Sequence, residues 1–89
     1  MSEFVILMKG SVANADWERY IAKLRDSGKF RGGSSLGNGT CISKDQADSE
    51  CSVTGYLRVT VDSLDDARLL LFGNPVYESG GLIELLAEI

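Results

Sequence analysis

The chain has 89 residues, a length at which one domain is expected, and its 44% hydrophobic and 25% charged residues with a single proline are proportions of a globular protein, not of a collagenous, disordered or membrane one. Its formal net charge of −4 denies it the overall basic field that phosphate backbones require, so no nucleic acid is expected as a partner. A domain of this size buries only about two thirds of the surface its unfolded form exposes, which favours oligomerisation.

Met1-Ser2-Glu3-Phe4 leads directly into a short apolar run, without a basic leader, a small-residue cleavage site or a stretch of membrane-spanning length. The expectation is a cytoplasmic protein with no membrane partner. Residues 4–8, Phe-Val-Ile-Leu-Met, predict a strand buried on both faces, and Lys9-Gly10-Ser11 ends it. Asn14 is placed to cap a helix in which Trp17, Tyr20, Ile21 and Leu24 fall at helical spacing, Asp16 and Glu18 complement the positive end, and Gly28 supplies the stop. Residues 30–36 read as an extended, glycine-rich edge strand. Gly37-Asn38-Gly39 then turns or bulges the chain, and Thr40-Cys41-Ile42-Ser43 continues the edge.

Residues 45–50 predict a polar loop, and residues 53–61 a strand rich in threonine and valine. Ser63 with Asp66 three positions later opens a second helix carrying the Ala67, Leu70, Leu71 stripe, which Gly73-Asn74-Pro75 closes. After Gly80-Gly81, residues 82–89 predict a last strand. The resulting βαββαβ order predicts an α+β sandwich of ferredoxin-like topology, a single domain over residues 1–89 with an antiparallel sheet and both helices on one face. Apolar residues of both parities in 4–8 and 82–89 leave the other face to be covered. A homodimer packed through its sheets is therefore expected.

Cys41 and Cys51 fit neither a redox C-x-x-C nor a zinc spacing, and the chain has no histidine, so no metal and no cofactor are expected. In the cytoplasm the two cysteines are expected as reduced thiols, although a hairpin would bring them to face each other across two strands. The glycine-rich segment 32–39 lacks the lysine and following helix of a phosphate loop.

Several segments together resemble the YCII-related, DGPF-like family of small dimeric α+β barrel proteins: residues 20–24 with Ser27-Gly28-Lys29, Gly32-Gly33, Val61-Asp62-Ser63-Leu64-Asp65-Asp66-Ala67, and Asn74-Pro75 with a glycine five residues beyond the proline. The resemblance spans nearly the whole chain. It implies a cytoplasmic dimer with a cleft between helices and sheet for a small molecule, and in several members a histidine on helix one acting with an aspartate as an acid–base pair. Here the histidine position falls at or near Trp17 and the aspartate before the proline is Asn74, so acid–base chemistry would pass to a carboxylate or a tyrosine.

Trp17, Arg58, Asn74 and Tyr77 are the candidate ligand-binding residues. Parity places Arg58 on one sheet face with Tyr56 and Thr60, as an anchor for an anionic metabolite or as a salt-bridge partner. No catalytic residue is assigned. The favoured reading is a homodimer that binds a small metabolite. Two others are kept: an acid–base enzyme of lyase or isomerase type using Tyr56 or Tyr77 with Asp16, and a non-catalytic interaction subunit.

Overall fold

The computed structural model describes residues 1–13 and 15–89. Its elements in chain order are β1 (Ser2–Lys9), α1 (Trp17–Asp26), β2 (Phe30–Ser35), β3 (Thr40–Ser43), β4 (Gln46–Glu50), β5 (Val53–Val61), α2 (Leu64–Leu69), α3 (Pro75–Glu78) and β6 (Leu82–Ala87). The protein is α+β. Four strands form an antiparallel sheet in the order β2-β5-β1-β6, and β3 pairs with β4 in a separate two-stranded ribbon.

Local chemistry sets the helix starts. The expected Asn14 cap lies outside the described residues; Asp16 is the N-cap of α1, its carboxylate accepting the Arg19 amide at 3.0 Å. The Ser63 hydroxyl accepts the Asp66 amide at 3.2 Å and starts α2 where the sequence places it. At Gly73-Asn74-Pro75 the structure revises the sequence reading. α2 ends earlier than the sequence places it, at Leu69 with Leu70 as its C-cap, and Gly73-Asn74-Pro75 instead opens the short α3, with Asn74 as cap and Pro75 in the first turn, where a missing N–H costs nothing.

One face of the sheet carries the core. Phe4, Ile6 and Met8 from β1 and Leu57, Val59 and Val61 from β5 meet Tyr20 and Leu24 of α1, Ala67 of α2, Leu71 and Val76. Ile83 and Leu85 of β6 pack against this cluster. Ile6, Leu24 and Val59 are the largest fully enclosed apolar side chains, each stabilising by about 1.5–3 kcal/mol relative to exposure.

The other face is mixed. Cross-strand register sets Val5 between Arg58 and Leu86, Leu7 between Tyr56 and Glu84, and Lys9 beside Leu82. Val5 and Leu7 are half-buried, while Leu82 and Leu86 are exposed. The sequence predicts β1 buried on both faces; in the single chain only the helix side is enclosed. The apolar strip on the reverse side is bordered by ion pairs, Lys9 with Glu84 at 2.8 Å and Arg58 with Glu88 at 2.7 Å.

The largest difference from the sequence reading is between β2 and β5. Residues 45–50 are not a loop: Thr40 pairs with Glu50 and Cys41 with Ser49, so β3 turns at Lys44-Asp45 into β4 rather than extending β2 along the sheet edge. The ribbon's side chains are all exposed, so backbone pairing holds it without a core-facing stripe. β2 is an edge strand with a bulge at Arg31, and Gly32 beyond it has φ +111°, a conformation that glycine adopts without strain. The terminal strand stops at Ala87.

Candidate functional site

A cleft of about 460 Å³ opens between α1 and the β2–β5 edge of the sheet, within the size range of small-molecule sites. Residues 17, 21 and 25 are four apart and fall on one face of α1, so Trp17, Ile21 and Arg25 form its helical wall. Gly33, Gly55 and Leu57 come from the strands opposite, and Val76 closes one end. Arg25 is the one charged side chain among the described lining residues.

Two glycines keep the strand side low. A Cβ on Gly33 would strike the Tyr56 carbonyl oxygen and sit 2.9 Å from a Leu57 methyl, and one on Gly55 would come within 3.2 Å of the Met8 methyl. Close approach of β2 to β5 therefore requires glycine at 33, and the packing of Met8 favours it at 55. At the rim, the Thr54 hydroxyl lies 2.5 Å from the Gly10 carbonyl oxygen and 3.2 Å from that of Met8, tying the end of β1 to the start of β5.

The four candidate residues are distributed over the molecule. Trp17 lines the cleft, half-buried, with its ring edge-on to Tyr20 at 6.1 Å between centroids. Tyr20 itself points into the core. Asn74 is wholly buried behind the cleft wall: its side-chain oxygen accepts the amides of Val76 and Tyr77, and its Nδ2 donates to the Met8 sulfur at 3.4 Å. Tyr77 is on the surface, edge-on to Phe72 at 6.3 Å, and Val76 is the residue of that turn that reaches the cleft.

Arg58 is on the opposite face of the sheet from the cleft. Its Nε and Nη2 donate to the two Glu88 carboxylate oxygens at 2.7 and 2.9 Å, and Nη2 reaches Glu3 at 3.3 Å. These carboxylates raise the guanidinium further above its ordinary value, and the hydrogen bond from Arg58 holds Glu88 below its own. The structure thus joins Trp17 to Arg25, a residue the sequence reading passed over. The signal was present in the four-residue steps from Trp17 through Ile21.

Asp16 uses its carboxylate to cap α1 and lines a second groove with Arg19, Lys23 and Glu78. Among the described residues no group of three or more His, Cys, Asp or Glu is arranged to hold a metal ion, and no helix is long and apolar enough to cross a membrane. No family model matches the chain, and no curated protein or solved structure matches it either.

Proposed function

We propose that this chain is a cytoplasmic, ferredoxin-like α+β domain that pairs through its open sheet face and binds a small anionic metabolite in the α1–sheet cleft. The observation that carries the reading is the row Trp17, Ile21, Arg25 set over a glycine-lowered sheet. An aromatic face, an aliphatic contact and one guanidinium suit a molecule with an apolar body and one carboxylate or phosphate group. The strand order β2-β5-β1-β6, with helices packed on one side, supports the ferredoxin-like assignment and the resemblance to YCII-related proteins. The strip formed by Val5, Leu7, Leu82 and Leu86 supports the homodimer, because a second copy would remove it from water.

Thermal-shift screening against metabolite carboxylates and phosphates tests the site. A ligand at a hundred times its Kd adds about 2.7 kcal/mol, which for a chain of this length raises Tm by on the order of 10 °C. The rise is expected in the native chain and is expected to vanish in Trp17→Ala and Arg25→Ala. A flat response across the library overturns the ligand-binding reading and favours an interaction subunit.

A further inference from the structure

We propose that Cys41 and Cys51 form a reversible dithiol–disulfide pair at the root of the β3–β4 ribbon. Both cysteines are free and exposed. The register puts Cys41 opposite Ser49, and the Cys51 amide donates to the Gly39 carbonyl at 3.0 Å, so positions 39, 41, 49 and 51 share one face of the ribbon. Cys41 and Cys51 are diagonal neighbours on that face; such pairs lie about 7–8 Å apart and a disulfide needs about 7 Å or less between Cα atoms, so the bond forms once the ribbon closes by about 1 Å. Gly39 occupies the place directly across from Cys51; a Cβ there would lie 3.2 Å from the Cys51 Cβ. The absent side chain leaves Cys51 room to lean toward Cys41.

The electrostatics agree with this placement. The Cys51 thiol is held below its ordinary value, chiefly by the Val53 backbone and next by the neighbouring Cys41 thiol, with the Lys9 ammonium adding positive charge, while the Cys41 thiol itself donates to the Glu50 carbonyl at 3.8 Å. An exposed thiol that loses its proton more readily than usual, with a second thiol on the same face, is the arrangement of attacking and resolving cysteines. The Cys51 thiolate attacks one sulfur of a small-molecule disulfide and expels one thiol. Cys41, losing its proton, then attacks the Cys51 sulfur of the mixed disulfide and expels the second. The protein loses two protons and two electrons, and the small disulfide, reduced by them, leaves as two thiols. Because the ribbon springs from Ser35 and Thr54, both at the cleft, the new bond fixes a segment that borders the cleft mouth.

Incubation of the full chain with oxidised glutathione, followed by alkylation and intact-mass measurement, tests the proposal. The native chain is expected to become a monomeric chain lighter by two hydrogens, closed to alkylation and restored by dithiothreitol. Cys41→Ser is expected to stop at a glutathione adduct on Cys51, formed faster than the adduct on Cys41 in Cys51→Ser. Both substitutions fall at exposed positions, and circular dichroism checks that the fold is kept. Glutathione on both cysteines of the native chain, bonds between chains, or no reaction would overturn it.

Discussion

The Tyr20 phenol donates a 2.7 Å hydrogen bond to the carbonyl oxygen of Leu70, the C-cap residue of α2. The bond joins α1 to the end of α2 and gives a partner to a carbonyl that the helix cannot satisfy internally. Burial pushes this phenol above its ordinary value of 10.0, and the nearby Asn74 side chain opposes the shift. The unfolded chain therefore releases the proton first as pH rises. The stability from this group is complete below about pH 10 and declines above it. Tyr20→Phe is expected to cost about 1–2 kcal/mol at neutral pH and to remove this part of the alkaline loss. Urea melts of both proteins at neutral and alkaline pH measure the two effects, and parallel alkaline losses would contradict the assignment.

Asn74 is fully buried, and its one side-chain oxygen accepts two amides, from Val76 at 3.0 Å and Tyr77 at 3.1 Å. Removing that oxygen abolishes the cap of α3 and leaves a buried N–H without a partner. Capping is worth about 0.5–2 kcal/mol and an unsatisfied buried donor costs about 1–3 kcal/mol. Asn74→Ala is accordingly expected to lose about 2–4 kcal/mol by chemical denaturation. A loss below about 0.5 kcal/mol, the range of ordinary surface changes, would show that the turn holds itself.

How far these features could be read in advance depends on which signal each one leaves. Ile6 and Val59 announce themselves through apolar runs with β propensity, and Ser63 with Asp66 through capping spacing, because burial and capping act on residue type directly. The ribbon leaves no such mark: Gln46-Ala47-Asp48-Ser49-Glu50 is poor in strand formers and exposed throughout, so neither propensity nor alternation registers. Arg58 shows a second limit. Parity correctly sets it with Tyr56 and away from Leu57 and Val59, but parity cannot say which face the helices cover. That choice is made by packing across the whole sheet, and it separates Arg58 from Trp17.

Ile6 and Leu7 are adjacent on β1 and point to opposite faces. Ile6 is completely enclosed, so Ile6→Asp is expected to cost several kcal/mol through an unpaired buried charge and to abolish folding. Leu7 is half-buried in the single chain, so Leu7→Asp is expected to leave the fold intact and break the proposed sheet-to-sheet dimer. Sedimentation at micromolar concentration, with circular dichroism on the same samples, separates the outcomes. A native chain that sediments as a folded monomer would refute the dimer whatever the variants do.

Arg58 clasps Glu88 through two parallel hydrogen bonds, the geometry in which a guanidinium holds a carboxylate most firmly. Glu88 is held below its ordinary value of 4.5 by this contact, so folded protein keeps the carboxylate charged to lower pH than unfolded chain does. The associated stability is present above the ordinary value of 4.5 and is lost as pH falls through the folded-state value. Glu88→Gln should therefore give a shallower fall in Tm between pH 7 and about pH 3 than the native chain shows. Because the pair is open to solvent, the difference should narrow in about 1 M salt, where the Debye length is about 3 Å. Superimposable acid limbs at low salt would mean that the clasp orders the β6 end without contributing to stability, as many exposed ion pairs do.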